Sequence, residues 1–322
     1  MFNVALIGMG YWGRNLARNL QVSAFFDLKY IVDPQIDADT CGLGVRLFKT
    51  SDELPLDLID AVVIATPIET HFNIAKFFVQ KGIHICVAKP LTKNSKELDF
   101  LIKLSKEKGV VVFCDYTFIY HPVTKVIKNA IDTKTLGKIV SFESIRSNLG
   151  KFDTQSSVVE DLFVHDASIV SFLFLAKDSV KTVKASAASY FGDLMESTAV
   201  SVLIETLKGK LITINVSWAS PRKTRYLAIT GTKQMLVWDD TVNDNKLTFF
   251  DRSATIDESQ SRVGYKLGDS RSPYIDSPEA LSVMLNDFAS CINTGVNQYT
   301  QIYMQIAELV DEVTLQIKGD LN

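Results

Sequence analysis

At 322 residues the chain is long for one domain and natural for two, and with 47% hydrophobic and 22% charged residues it can bury a sizeable core. Its net charge of −3 comes without any run of Lys or Arg, which argues against nucleic acid as the main partner, because phosphate-backbone binding needs a concentrated basic face. No apolar run approaches the ~20 residues of a membrane span, residues 2–7 read as a strand rather than a signal peptide, and Cys41, Cys86, Cys114 and Cys291 form no C-x-x-C, so a cytoplasmic protein with reduced thiols and no metal site is expected.

Phe2 to Ile7 forms a short apolar strand. Gly8, Gly10 and Gly13 follow in a G-x-G-x-x-G pattern that runs into a helical segment, Arg14 to Leu20. In a dinucleotide-binding turn the first glycine makes the bend, the second lets the backbone approach a pyrophosphate, and the third lets helix pack on strand. The pyrophosphate then sits on the free N–H groups and positive end of the helix dipole. Asp33 ends the next apolar run, Leu28 to Val32, twenty positions after Gly13. An acid there takes the adenosine ribose hydroxyls and, with no Arg close behind it, favours NAD while leaving NADP open. The competing reading is a Gly-rich βα turn and a solvated Asp before Pro34.

Up to about residue 118, strands alternate with helices, which implies parallel βαβ units. Strands are expected at Ala61–Thr66, Ile83–Val87 and Val110–Cys114, with helices at His71–Lys81 and Lys93–Lys108. Ligands in such sheets bind beyond the carboxyl ends of the strands, which places Thr66-Pro67-Ile68-Glu69-Thr70-His71, Ala88-Lys89-Pro90 and Asp115-Tyr116-Thr117 at the binding edge. Residues 1–118 are accordingly a nucleotide-binding Rossmann domain, and 119–322 an α+β substrate and assembly domain.

In that second part the pattern gives a helix from Pro122 to Ile131, a strand from Ile139 to Ile145, and a polar loop from Arg146 to Gln155. Ser157 and Glu160 have capping-box spacing, so a helix begins there and runs to about Phe174. Antiparallel-looking strands follow at Val183–Tyr190, Ala199–Leu207, Lys210–Trp218, Arg225–Thr230, Met235–Trp238 and Leu247–Phe250. Ile212, Ile214, Val216 and Trp218 alternate with Leu211, Thr213, Asn215 and Ser217, giving a large, mostly antiparallel open sheet with one apolar face. Asp251 to Ser277 reads as a polar, irregular loop. Two helices close the chain, opened by Ser277-Pro278 and stopped near Gly295 and Gly319.

Lys89 lies at a strand's carboxyl end beside the nicotinamide end of the cofactor, where it can stabilise negative charge developing on a substrate oxygen; it reads equally as a solvent-facing charge. Asp161 and His165 are four apart in a helix and project from one face. The carboxylate favours the imidazolium, which helps His165 take a proton from an alcohol; the plainer reading is a surface ion pair or a histidine satisfied in the core. No third metal ligand lies at helical spacing, and Glu160 points elsewhere. His71 and His121 flank the same cleft, in cofactor contacts or in plain packing.

Together these residues resemble the Gfo/Idh/MocA family of glucose–fructose oxidoreductase, inositol 2-dehydrogenase and their relatives. Gly8-Met9-Gly10-Tyr11-Trp12-Gly13 resembles its nucleotide fingerprint, residues 61–71 its central strand and following loop, Ala88-Lys89-Pro90 its E-K-P, and Asp161 to His165 its D-x-x-x-H pair. The resemblance implies Lys89, Asp161 and His165 as the catalytic group, with Gly8, Gly10, Tyr11, Trp12, Gly13, Asp33, Thr66, Pro67, His71, Ala88 and Lys89 around the cofactor. Residues 142–152, 215–240 and 265–281 are similar to a narrower branch found with nucleotide-sugar and surface-polysaccharide biosynthesis, several members of which are UDP-N-acetylglucosamine-type 3-dehydrogenases. That likeness implies substrate near His121, Arg146, Asn148, Arg222 and Arg225, where the arginine charges could meet a diphosphate, and assembly as a homodimer or homotetramer through the open sheet; the competing reading of the Arg222–Arg225 cluster is an ordinary solvated strand edge. A polyol or deoxysugar dehydrogenase or ketoreductase, and a non-catalytic NAD-binding regulator, are the alternatives. Two departures stand out: Ala88 replaces the family Glu, and Gln298-Tyr299-Thr300-Gln301 lacks the usual Asp-Gly.

Overall fold

The structure, a computed structural model, describes residues 1–36, 44–150, 152, 157–192, 197–257, 262–276 and 278–319. Cys41, Ser277 and parts of the expected loops at 146–155 and 251–277 lie outside the described residues. In chain order the elements are β1 (Phe2–Ile7), α1 (Tyr11–Gln21), β2 (Phe26–Val32), β3 (Arg46–Phe48), β4 (Ala61–Ile64), α2 (Ile68–Gln80), β5 (His84–Ala88), α3 (Ser95–Lys108), β6 (Val112–Asp115) and α4 (Thr117–Tyr120). There follow α5 (Pro122–Asp132), β7 (Ile139–Leu149), α6 (Val164–Leu173), β8 (Val180–Ala188), β9 (Ala199–Thr206), β10 (Leu211–Ser217), β11 (Ala219–Gly231), β12 (Met235–Asp239), β13 (Leu247–Asp257), β14 (Arg262–Arg271), α7 (Ala280–Thr294) and α8 (Thr300–Gly319). Two compact units emerge, Met1–His121 with Pro278–Glu308, and Pro122–Ser277 with Leu309–Asn322.

The first unit holds six parallel strands in the order β3-β2-β1-β4-β5-β6. Strand order reverses between β1 and β4, the crevice where such sheets bind dinucleotides. Ala61 to Ile64 of β4 are completely buried, as a central strand covered on both faces requires. The short edge strand β3 has no counterpart among the expected elements. Helix α7 belongs to this unit: Met284 and Phe288 are fully buried, and the Phe288 ring lies 5.4 Å from Phe26 and 5.2 Å from Phe113. The open edge of β6 is blunted by side chains, because Asn297 Nδ2 donates to the Val112 carbonyl at 2.6 Å and the Tyr303 hydroxyl to that of Cys114 at 3.4 Å.

The second unit carries eight strands in the order β14-β13-β12-β11-β7-β10-β9-β8. Every pairing is antiparallel except β7 with β10. The expected alternation holds on β10, where Ile212, Ile214 and Val216 are buried beside Ile204, Val202 and Val200 of β9, and Trp218 just past its end is buried too. The Gln316 amide secures edge strand β8, donating to Val183 O and accepting from Ala185 N, each at 2.9 Å. Two expectations are corrected. Strand β7 continues through Arg146 to Leu149, because its polar outer half still ladders with β10 and β11. The segment read as an irregular loop after Asp251 is largely the β13–β14 hairpin, and β14 is exposed along nearly its whole length, so it has no buried face to print an alternating pattern. No helix among the described residues is long and apolar enough to cross a membrane.

Candidate active site

Gly8 takes φ +94°, a region L side chains avoid, and a Cβ there would come within 2.6 Å of the Ala65 carbonyl oxygen. A Cβ on Gly13 would stand 2.1 Å from the Gly8 carbonyl oxygen, whereas one on Gly10 would meet nothing within 4 Å. Gly13 is thus filled by the fold and Gly10 is left open. Helix α1 starts at Tyr11, not Arg14; Gly10 caps it without a side-chain hydrogen bond, and its first turn has no acid. Its leading N–H groups therefore face an open cradle suited to an anion. Asp33 closes the cradle, accepting from the Met9 amide at 2.7 Å through one oxygen and from the Gln35 amide at 2.8 Å through the other. The residues present fit a dinucleotide.

The neighbouring strand ends form the rest of this edge. Thr66 and Thr70 share a 2.7 Å hydroxyl hydrogen bond, and Pro67 precedes α2. His71 is 1% exposed and braces two loops, one ring nitrogen lying 2.9 Å from the Pro90 carbonyl and the other 2.8 Å from that of Thr66. Burial lowers its pKa, partly opposed by those carbonyls. Ala88 is buried, and Lys89-Pro90 is a cis peptide. Tyr11 is 85% exposed, while Trp12 turns inward and donates its indole N–H to Asp115 at 2.8 Å. Asp115 is not among the expected site residues, although its segment is expected at the binding edge. Its partner is 103 residues away in sequence, so no local pattern announces it. His121 is half-buried, with its ring 6.4 Å from that of Phe118.

The second unit carries the other group of expected site residues. Asp161 does not sit in a plain α-helix: Val159–Phe163 winds as a π-helical turn before α6, a rare form that recurs at functional sites. The expected capping box at its start is present, with Ser157 N donating to Glu160 at 2.9 Å and Glu160 N to Ser157 Oγ at 3.2 Å. Asp161 accepts from the Trp218 indole N–H at 2.9 Å. His165 is half-buried in the first turn of α6, and its carbonyl accepts the Ser168 hydroxyl at 2.6 Å.

Arg146 and Arg225 face each other across β7 and β11. Arg146 is 5% exposed and grips Asp166 through Nε at 2.6 Å and Nη2 at 3.3 Å. Arg225 is half-buried; burial and then the Arg146 charge push its pKa down, against Asp240, Asp166 and Asp161. The β7–β11 register jumps between Ala219 and Thr224, bulging out Pro221, which has no ladder N–H to give, and exposing Arg222. Asn148 lies half-buried opposite this bulge. The structure thus brings Arg146, Asp161 and Asp166 within electrostatic reach of Arg225, and Asp33 against the glycine turn. Lys89 belongs to the first unit, and Asp161 and His165 to the second.

Two sequence models match the chain. Residues 2–116 match an oxidoreductase family with an NAD-binding Rossmann fold, designated GFO_IDH_MocA, and residues 124–237 match the GFO/IDH/MocA C-terminal domain. The UDP-N-acetylglucosamine 3-dehydrogenase of Acidithiobacillus ferrooxidans is 29% identical over 197 residues, 59% of this chain and 60% of that protein. The inositol 2-dehydrogenase of Rhizobium meliloti is 25% identical over 167 residues, 49% and 50% of the two. In sequence, then, the chain spans half to three-fifths of these relatives' length. A solved structure of the Acidithiobacillus enzyme superposes with a TM-score of 0.79 at 21% identity, covering 100% of this chain and 99% of that one. A structure from gentamicin A biosynthesis in complex with NAD gives 0.80 at 22% identity, covering 99% and 95%. These likenesses establish the fold, a parallel NAD-binding unit and a largely antiparallel one.

Proposed function

Because the chain belongs to the Gfo/Idh/MocA family of oxidoreductases, we propose that it transfers a hydride between a nicotinamide cofactor and a sugar carbon, with a nucleotide sugar of the UDP-N-acetylglucosamine type as substrate. The observation that carries the reading is the open cradle over Gly10, with the first N–H groups of α1 unclaimed by any side-chain cap behind it and Asp33 fastened at its side. Gly8 to Gly13 and the α1 N-terminus hold the pyrophosphate, Asp33 the adenosine ribose, and the loops at Thr66 and Lys89 the nicotinamide end. When bound, NAD supplies the hydride acceptor.

Everything else falls to the chain's own side chains. His165 takes the hydroxyl proton as the alcohol becomes a ketone, and returns it in the reverse direction. Asp161 favours the imidazolium, with Trp218 fixing the carboxylate so that it presents a constant charge. Lys89 stabilises negative charge building on the reacting oxygen. The substrate diphosphate is assigned to Arg225 and Arg222. Arg146 is already committed to Asp166 and serves by holding that aspartate.

The reading is tested by mixing the purified protein with NAD and a panel of UDP-sugars, free sugars and inositol, while following nicotinamide absorbance and assaying any nucleotide that copurifies. Reduction of NAD with a UDP-N-acetylhexosamine, lost in His165→Ala and strongly reduced in Lys89→Ala, is expected. Turnover of inositol or a free sugar alone would remove the nucleotide-sugar assignment, and full activity in His165→Ala would remove the proton-transfer role.

A further inference from the structure

Asp115 is a buried carboxylate to which the scheme above gives no task. It ends β6 in register with Ala88 on β5, one residue before Lys89, and is 1% exposed. One carboxylate oxygen accepts the Trp12 indole N–H at 2.8 Å and the other the Thr117 hydroxyl at 3.0 Å. Trp12 belongs to the glycine turn and Thr117 opens α4, so this one side chain joins two separate parts of the binding edge. Burial pushes its pKa up to about 6, opposed by Trp12, Thr117 and the positive charge of Lys89. The buried thiols of Cys86 and Cys114 also feel its charge. Of these groups, Lys89 carries the positive charge.

A buried acid that burial disfavours is costlier than packing needs, since an amide of the same shape would keep a hydrogen bond without the charge. What the charge adds is a fixed counterpart for a cation. Lysine is a point charge on a flexible four-carbon stem, and Ala88 beside it offers only a methyl group. We propose that Asp115 is a positioning residue for Lys89: its carboxylate, clamped between Trp12 and Thr117, holds the ammonium at the carboxyl edge of the parallel sheet and ties that position to the glycine turn. The proposal rests on the role given to Lys89 under the proposed function.

The test reads Lys89 directly, without requiring turnover. Whole protein, as wild type and Asp115→Asn, is treated with limiting acetic anhydride, and Lys89 acetylation is quantified by peptide mass spectrometry against the surface lysines. Asp115→Asn is expected to raise Lys89 labelling about threefold, the loss of one close charge interaction, and Asp115→Glu to restore it in part. In the active enzyme kcat falls about tenfold while KM for NAD holds, and the loss vanishes in the Lys89→Ala background. Trp12→Phe, which frees one carboxylate oxygen, shifts labelling in the same direction and serves if Asp115→Asn does not fold. Unchanged Lys89 labelling in both variants overturns the proposal. Altered labelling in a protein that oxidises no sugar supports the positioning contact and removes the functional reading instead.

Discussion

Replacing Gly10 and Gly13 separately by Ala distinguishes what the glycine turn does for the fold from what it does for the cofactor. At Gly13 the new methyl would sit 2.1 Å from the Gly8 carbonyl oxygen and 2.9 Å from its carbon, so α1 must move by about an ångström, an overpacking cost of roughly 1–3 kcal/mol. At Gly10 the backbone has φ −65° and ψ −165°, which Ala adopts, and the methyl meets no atom within 4 Å. Losing Gly at a helix N-cap costs a few tenths to about 1 kcal/mol, and the lower entropy of the unfolded chain returns about as much. Gly10→Ala should therefore unfold within about 0.5 kcal/mol of wild type and yet bind NAD at least tenfold more weakly, a loss of about 1.4 kcal/mol, because its methyl fills the space the pyrophosphate needs. Urea denaturation gives the first quantity and calorimetric titration with NAD the second. A Gly10→Ala protein that binds NAD normally, or is as destabilised as Gly13→Ala, would refute the reasoning.

Three further expectations follow from buried groups. Arg146→Ala leaves Asp166, 2% exposed, without its ion-pair partner and should cost about 3–5 kcal/mol in urea unfolding, most of it recovered by pairing Arg146→Met with Asp166→Leu. Asp115, held near 6 against an ordinary 3.8, keeps its proton in the native state where the unfolded chain has lost it. Its contribution to stability should therefore fall as pH rises from about 4 to 6, by on the order of 3 kcal/mol at roughly 1.4 kcal/mol per pH unit, read as the change across that window in the stability difference between wild type and Asp115→Asn, in which the opposite contribution of buried His71 cancels. Trp218→Phe removes the donor to Asp161, so kcat should drop about tenfold with KM for NAD unchanged; an unaltered kcat would show that the aspartate needs no such support.

Much of this fold was legible because its two periodicities are clean. Val, Ile and Ala runs followed by amphipathic helices gave the parallel unit, and the β10 alternation gave the buried face of the other sheet. What escaped has physical causes. Strand β3 is three residues long and owes its existence to pairing with β2. The β13–β14 hairpin lies almost wholly in solvent, so its order comes from ladder hydrogen bonds that leave no trace in composition. The ion pair that buries Arg146 left no local pattern, because Asp166 lies 20 residues away in sequence. The π-helical turn at Asp161 was equally invisible, since its residues are ordinary helix formers. The glycine turn and the capping box at Ser157 were readable because both act through neighbours within a few positions.

The return of α7 has a consequence for synthesis. As the ribosome releases the chain, the strands of the nucleotide-binding unit emerge before the second unit but are completed only after it, because the aromatic ring that packs on Phe26 and Phe113 is encoded at position 288. Until then its sheet carries an uncovered apolar flank. A nascent polypeptide halted within the second unit should therefore be sticky and chaperone-dependent, and sensitivity to added protease should fall sharply only once α7 has cleared the exit tunnel.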